Sequence, residues 1–116
     1  MAAVANLLRR LDQAGFAGDA EDGIGARQVA STDNSIYQVR PAAIVYPRTG
    51  EDVTLLVRTL ADTGLSLTPR GGNTGTNGQS LNDGIIVDFA RHMRGISAFD
   101  PKTNTVTVEP GVVLDQ

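Results

Sequence analysis

The chain has 116 residues, which is room for at most one ordinary domain, since domains usually hold roughly 100–200 residues. Hydrophobic residues make up 41% and charged residues 20%, a balance that predicts a soluble globular chain with a core. With 10 Lys and Arg against 13 Asp and Glu, the net charge is −3, so no basic surface is available for nucleic acid.

The cysteine count excludes several kinds of site. Cysteine is absent, so this stretch has no disulfide, no thiolate metal ligand and no cysteine nucleophile, and a cytoplasmic setting is favoured. No apolar run reaches the ~18 residues of a membrane helix, and the N-terminus lacks the apolar region of a signal peptide. We therefore expect a cytoplasmic chain without a transmembrane segment, and leave open membrane association of a longer protein.

The chain begins with a helical pattern. Apolar residues recur at i, i+3, i+4 and i+7, and they are Val4, Leu7, Leu8 and Leu11. Gly15 is placed to end this helix in a left-handed conformation. No periodicity appears from Gly18 to Asn34, where Gly, Asp, Ser and Thr are frequent, so an irregular connection is expected there.

A strand and a helix are predicted next. The run from Ala42 to Tyr46 is apolar, lies between two prolines and predicts a strand over Ile44–Tyr46. Thr49 has the spacing of an N-cap, so a helix is predicted near Asp52–Thr63. The residues expected to pack this helix on a sheet are Val53, Leu56, Val57 and Leu60.

The remaining pattern is that of strands. Leu65–Thr68 is predicted as a strand parallel to the first, which gives a βαβ unit, and Ile85–Phe89 as a third strand of the same sheet. Ile96–Phe99 and Thr105–Glu109 flank a turn-forming cluster and predict a β-hairpin. The last residues, 112–116, are typical of the first turn of a helix and suggest that the domain continues further.

The most unusual feature is the sequence GGNTGTNG at residues 71–78, directly after a predicted strand. Glycines permit positive φ and close approach, so consecutive amides can form a nest for an anion such as phosphate. The spacing is neither G-x-G-x-x-G nor that of a P-loop, which disfavours those two nucleotide folds. From the residues alone, a phosphate-binding loop and an ordinary long surface loop both remain open.

Three segments carry a resemblance to a known family. They are STDNSIYQVRPAAIVYPRTGEDV, LTPRGGNTGTNGQSLNDGIIVDFARHMRGI and VTVEPGVVLDQ. In this order they resemble the start of the FAD-binding domain of vanillyl-alcohol-oxidase-type (PCMH-type) flavoproteins. The chain is most similar to D-lactate and D-2-hydroxyglutarate dehydrogenases, in particular the large bacterial fusions of a flavin domain with an iron–sulfur domain.

The resemblance implies a fold and a domain division. The fold class is α+β, sandwich-like: a piece of a PCMH-type FAD-binding domain with a βαβ unit, a third strand and a hairpin. Residues 1–30 are then an N-terminal helix and connection, and residues 31–116 are the N-terminal portion of the FAD-binding domain, truncated at its C-terminus.

The resemblance also implies a cofactor site. In the family, the loop after the second strand wraps the FAD pyrophosphate through backbone amides, and a Pro-Gly turn passes close to the flavin. The matching positions are Pro69, Arg70, Gly71, Gly72, Asn73, Thr74, Gly75, Thr76, Asn77, Pro110 and Gly111. The loop has no histidine for a covalent link, so FAD is expected to be noncovalent, and an iron–sulfur cluster is expected only downstream.

Several side chains allow two interpretations. Arg70 suits either the pyrophosphate or a local carboxylate. His92, the only histidine, has no second His or Cys to complete a metal site, which favours a structural role. Asp33 and Tyr37 match a recurrent D-x-S-x-Y family pattern in which Tyr37 is expected to pack, and Asp88 is expected to end its strand.

Two functional hypotheses follow. The first is an FAD-dependent oxidoreductase that oxidises a 2-hydroxy acid and passes electrons to a downstream acceptor, with an oxidase of the same superfamily as a variant. The second is a non-catalytic α+β module that binds an anion or a partner. No catalytic or metal residue is assigned, the chain alone is expected to be inactive, and an exposed strand edge suggests a homodimer.

Overall fold

The computed structural model describes residues 2–114 and contains three helices and six strands there. The helices are α1 (Ala2–Gln13), α2 (Ile24–Val29) and α3 (Gly50–Leu60). The strands are β1 (Asp19–Glu21), β2 (Ala43–Tyr46), β3 (Leu67–Arg70), β4 (Ile85–Asp88), β5 (Ile96–Asp100) and β6 (Thr105–Val108). None of these described helices is long and apolar enough to cross a membrane.

Four strands form one sheet in the order β1-β2-β4-β3. Both β2 and β3 pair with β4 in parallel, with Val45 and Pro69 opposite Val87 on either side. The parallel arrangement predicted for β2 and β3 is therefore confirmed. They are not neighbours, however, because β4 lies between them.

The two faces of the sheet pack differently because side chains alternate along each strand. On one face Val45 and Val87 join α1 and α3 in the larger core, in which Leu7 and Leu56 are fully buried. On the other face, a smaller cluster consists of Ala30, Ile44, Tyr46 and Ile86. The short helix α2 covers only part of this second face, through Ala26.

The N-terminus of α3 has the predicted cap. The Thr49 side chain accepts a hydrogen bond from the Asp52 amide at 3.1 Å. Asp52 is buried, and its carboxylate accepts from the amides of Ala17 and Arg48, both at 2.9 Å. The helix is thus fixed to the connection that follows α1.

The packing prediction is wrong for one residue of α3. Val57 is 50% exposed, whereas Leu56 and Leu60 are buried. Asp52 and Thr59 share the buried face with these leucines, so the helix is rotated away from Val57. The buried face of α3 therefore contains two polar residues, Asp52 and Thr59, that the hydrophobic pattern did not assign to it.

The segment predicted to be an irregular connection contains regular structure. It includes β1, in which Asp19 pairs with Tyr46, and α2. A strand of three residues has no periodicity of its own, because it exists through pairing with distant β2. The division at residues 30 and 31 stays a prediction, although β1 belongs to the main sheet.

Some boundaries also differ. The second predicted strand is shifted to Leu67–Arg70 and includes Pro69, which an edge strand tolerates. The hairpin is confirmed, as β5 and β6 form a separate two-stranded sheet. The predicted terminal helical turn is absent from the described residues 112–114, and residues 115 and 116 lie outside the described part.

Candidate functional site

The loop at residues 71–84 connects the carboxyl end of β3 to the start of β4. Within the described chain, the amides from Gly71 to Thr76 donate to no protein acceptor. The next amide, that of Asn77, donates to Gln79 Oε1 at 3.1 Å. These residues are exposed or half-buried, so their amides are open to solvent, and consecutive open amides can donate together to an anion.

The missing side chains keep this run of amides accessible. A Cβ atom at Gly71 would meet only the Pro110 carbonyl oxygen, at 3.7 Å, and one at Gly72 only Thr74 Cγ2, at 3.8 Å. Both are ordinary contacts, so the space beside these glycines is open. The positive φ angles lie elsewhere in the loop, at Asn73 (61°) and Gly78 (73°). Within the described chain, neither φ nor a steric contact requires glycine at 71 and 72.

The back of the loop is held by residues 31–39, which we call the clasp. The clasp is closed by a bridge between Thr32 and Gln38. Its Asn34 amide donates to the Gly75 carbonyl at 3.2 Å, and its Thr32 carbonyl accepts from Asn73 Nδ2 at 2.8 Å. These bonds fix the loop from one side and leave the amides of its other side free.

Tyr37 belongs to the same contact. Its ring lies beside Gly78, where an added Cβ would be 3.1 Å from the ring, although Tyr37 remains 55% exposed. The packing role expected for Tyr37 is thus consistent with its position against the loop.

Arg70 lies at the start of the loop and is 95% removed from solvent, with 5% of its surface exposed. Its Nη2 donates to the carbonyls of Ala30 and Ser80, each at 2.9 Å. Within the described chain it forms no ion pair with a carboxylate, and its Nε has no partner. Burial lowers the pKa of Arg70, and the nearby carboxylates of Asp88 and Asp33 oppose that effect.

The predicted Pro-Gly turn lies at the same carboxyl end of the parallel strands as the loop. Gly111 is buried, and its amide donates to the Met93 carbonyl at 2.9 Å. A Cβ there would collide with the Phe89 carbonyl, directly after β4. The turn also approaches Gly71 through Pro110. The fold therefore brings together the two separate segments that the sequence assigned to one site.

A charged cluster lies at this carboxyl end of the parallel strands, and the sequence did not indicate it. His92 Nε2 lies 2.6 Å from Asp19 Oδ2, and Arg91 lies 3.5 Å over the ring of Tyr46. The Tyr46 hydroxyl donates to Glu21 at 3.2 Å. Burial, with Glu21 adding to it, raises the pKa of Tyr46 to about 12. The hydrogen bond from His92 holds the pKa of Asp19 below its usual value.

These charges are already partnered. Asp19 and Glu21 both lie within 4 Å of Arg91 Nη1, at 3.5 and 3.6 Å. His92 is half-buried against Asp19, consistent with a structural residue. No group of three or more metal-ligating side chains forms within residues 2–114. The amides of Gly71 to Thr76, in contrast, have no acceptor within residues 2–114.

A cavity of about 400 Å³ opens next to the loop, between α2 and the partly covered face of the sheet. Arg70 and Asn73 line it on the loop side, and Tyr46 and Asp88 on the sheet side. The Asp88 side chain accepts from the Ala90 amide at 2.8 Å and so ends β4 as predicted. The sequence did not indicate this cavity because α2 was not expected.

Comparison with known proteins places the loop in a family. Residues 41–116 match the family described as FAD binding domain. The chain is 51% identical over 116 residues to D-2-hydroxyglutarate dehydrogenase of Escherichia coli (strain K12), covering 97% of this chain and 11% of that protein. It is 30% identical over 86 residues to mitochondrial D-lactate dehydrogenase [cytochrome] 1 of Saccharomyces cerevisiae, covering 71% of this chain and 15% of that protein. The chain thus spans only a small part of these relatives.

Solved structures show the same fold. The structure of 4-ethylphenol oxidase from Gulosibacter chungangensis matches 95% of this chain with a TM-score of 0.77 at 20% identity, over 22% of that protein. The Physcomitrella patens BBE-like 1 wild-type structure matches 90% with a TM-score of 0.74 at 24% identity, over 23% of that protein. At these identities the likeness concerns the fold alone, and it confirms the predicted α+β fold.

Proposed function

Because this chain belongs to the FAD binding domain family, we propose that it is the cofactor-holding part of an enzyme that oxidises a 2-hydroxy acid of the D-2-hydroxyglutarate or D-lactate type. The observation that carries the proposal is the run of unpartnered amides from Gly71 to Thr76, backed by the clasp. The names of these two relatives support the substrate class.

The residues present fit FAD. The amides of the loop are suited to the pyrophosphate, which carries negative charge and needs several donors at close range. Gly71 and Gly72 leave space for that approach, and the turn at Pro110 and Gly111 lies beside them. When bound, FAD supplies the two-electron acceptor for a hydride from the substrate α-carbon.

The chain's share in catalysis is binding and orientation. None of its residues is assigned a catalytic role, and the residues that contact the substrate are proposed to lie in the rest of the enzyme. The loop and clasp lack histidine, which supports noncovalent FAD. A downstream electron acceptor, an iron–sulfur cluster outside this chain and a cytoplasmic location are parts of the same proposal.

A second candidate is an FAD-linked oxidase with another substrate. The observation that favours it is the fold that this chain shares with 4-ethylphenol oxidase. A non-catalytic anion-binding module would use the same free amides. Measuring the flavin content of the full-length protein separates this module from both enzymes.

The central experiment compares glycine variants of the full-length protein. In Gly72→Val the added side chain enters the open space beside the loop amides and blocks the approach of FAD. We therefore expect folded protein that binds FAD at least tenfold more weakly, which is a loss of about 1.4 kcal/mol in binding free energy. The flavin-to-protein absorbance ratio measures this. Gly75→Val should also lower FAD content, although it displaces the Gln79 side chain as well.

Two matched controls accompany these variants. Gly23 has an extended backbone, with φ −66° and ψ 151°, and no atom within 4 Å of an added Cβ, so Gly23→Val should keep its flavin. His92→Ala should keep it too, because His92 bonds Asp19 and not the loop. An unchanged flavin ratio in Gly72→Val and Gly75→Val would refute the assignment of the loop.

A further inference from the structure

Arg70 is a costly residue in its position. A guanidinium carries five donors and a permanent charge, and burying it is unfavourable unless those donors and the charge find partners. Two carbonyls accept from Nη2, one at the end of α2 and one in the loop at residues 71–84, which we call the glycine loop. The buried Nε has no partner, so this side chain is incompletely satisfied.

Asp33 has the complementary deficiency. Its Oδ1 accepts from the Ser35 amide at 2.7 Å, but its Oδ2 is buried without a partner. Among the described residues, Arg70 Nε and Asp33 Oδ2 are the buried side-chain atoms without a hydrogen bond. One is a donor with positive charge and the other an acceptor with negative charge.

The backbone brings these two residues to the same contact. Asp33 lies between Thr32 and Asn34, and both of these neighbours bond the glycine loop, through Asn73 and Gly75. Arg70 begins that loop and also reaches Ala30, just before the clasp. Both residues therefore act where the clasp meets the loop.

We propose that Arg70 and Asp33 are a pair of positioning residues that hold the glycine loop against the clasp, so that the loop amides face the cofactor. Arg70 ties Ser80 of the loop to Ala30, and the Asp33 carboxylate is its electrostatic partner. Arg70 acts through the amides and does not itself contact phosphate. This inference rests on the proposed function, since it assigns how the same site is held in shape.

The alternative role for Arg70 is direct pairing with the pyrophosphate. The two roles predict different changes in FAD affinity for Asp33→Asn. If Arg70 met phosphate directly, removing the nearby negative charge in Asp33→Asn would leave FAD affinity unchanged or raise it. If the pair positions the loop, Asp33→Asn lowers the affinity. Lysine in place of Arg70 keeps a charge for phosphate, but its compact ammonium on a flexible stem lacks the rigid planar fork that places Nη2 between the two carbonyls.

The experiment uses full-length protein from which flavin has been removed, titrated with FAD. Arg70→Met, Arg70→Lys and Asp33→Asn are each expected to bind FAD on the order of tenfold more weakly. The double variant Asp33→Asn/Arg70→Met should bind FAD no more weakly than the weaker-binding single variant, because both residues are proposed to act on the same junction between loop and clasp. If Arg70→Met does not fold, Asp33→Asn and Arg70→Lys carry the test.

Two controls separate positioning from general stability. Arg58 is exposed on α3, so Arg58→Met should bind FAD like the wild type. Thr49→Ala removes a helix cap far along the chain from the loop and should lower the urea midpoint without changing FAD affinity. A loss of affinity in Thr49→Ala equal to that in Asp33→Asn would overturn the inference.

The remaining outcomes are also decisive. Wild-type affinity or tighter binding in Asp33→Asn, recovery in Arg70→Lys, or independent effects in the double variant would each overturn the positioning role. If Gly72→Val loses FAD in the same titration while Asp33→Asn does not, only this inference fails. If the wild-type protein binds no FAD, the proposed function itself fails.

Discussion

The four-stranded sheet and the β5–β6 hairpin are built from similar residues but differ in burial. In the sheet, Ile85 and Ile86 are fully buried. In the hairpin, Ile96 is 62% exposed and Phe99 is 67% exposed. Strand-forming residues thus specify a strand in both places, while burial depends on whether another part of the molecule covers it.

The glycine loop is the third kind of surface in this comparison. It also leaves groups uncovered, but these are polar amides, and its back is held by the clasp. The hairpin instead leaves apolar side chains uncovered, with Val106, Val108 and Val113 lining a small apolar hollow. The uncovered surface is thus polar at the loop and apolar at the hairpin.

The largest expected effect concerns FAD and the chain by itself. We expect no measurable FAD binding and no dehydrogenase activity from the 116-residue chain, because about five amide hydrogen bonds contribute a net ~0.5–1.5 kcal/mol each. Association is opposed by ~4–15 kcal/mol of lost translational and rotational freedom. Calorimetric titration with FAD checks this. A micromolar dissociation constant would show that the loop needs no further protein around it.

The next effect compares one isoleucine from each region. Ile85→Ala should lower the free energy of unfolding by about 2–5 kcal/mol, since it leaves a cavity in the core. Ile96→Ala should change it by less than about 0.5 kcal/mol, since the side chain is largely exposed. Urea denaturation of both variants measures the difference. Equal losses would mean that the hairpin is covered in solution, for instance in a dimer.

The smallest expected effect is the pH dependence of folding stability that Asp19 of β1 contributes. The pKa of Asp19 is lower in the folded state than its usual 3.8, chiefly because of His92. A lowered pKa gives stability that is present above the usual value and is lost as pH falls through the folded value. Wild type should therefore lose more stability than Asp19→Asn between about pH 4 and pH 2.

Urea unfolding at several pH values tests this, with Asp12→Asn as the control. Asp12 is exposed near the end of α1 and takes no part in the cluster with His92. Its variant should follow the wild-type pH profile. Parallel profiles for wild type and Asp19→Asn would show that the bond to His92 contributes nothing to folding.

The sequence predicts the long, periodic elements well. The apolar stripe of α1 and the cap of α3 depend on residues close together in the chain, so local patterns were sufficient. The left-handed residue expected at Gly15 is also found, with φ of 93°. The central strands followed from runs of β-branched residues, as in Ile85–Asp88.

The rest depended on contacts between distant residues. Asp19 forms a strand only because it lies beside Tyr46, and the buried face of α3 includes Asp52 and Thr59 instead of Val57. The loop itself was predicted from its glycines, but the clasp that holds it was not. For Arg70, the sequence did not indicate the backbone carbonyls of Ala30 and Ser80, which accept hydrogen bonds from its side chain.

Pro69 has a consequence for how copies of the chain can meet. Ser66 and Arg70 direct their carbonyls towards β4, so Pro69, between them, turns its backbone nitrogen to the open side of β3. A proline nitrogen carries no hydrogen, and an added strand would find a missing donor there. The opposite edge, β1, carries Asp19 and Glu21, whose charges resist strand addition. Both edge strands of the main sheet therefore disfavour the addition of a strand from another copy. The hairpin is then the region where strand pairing between copies can start.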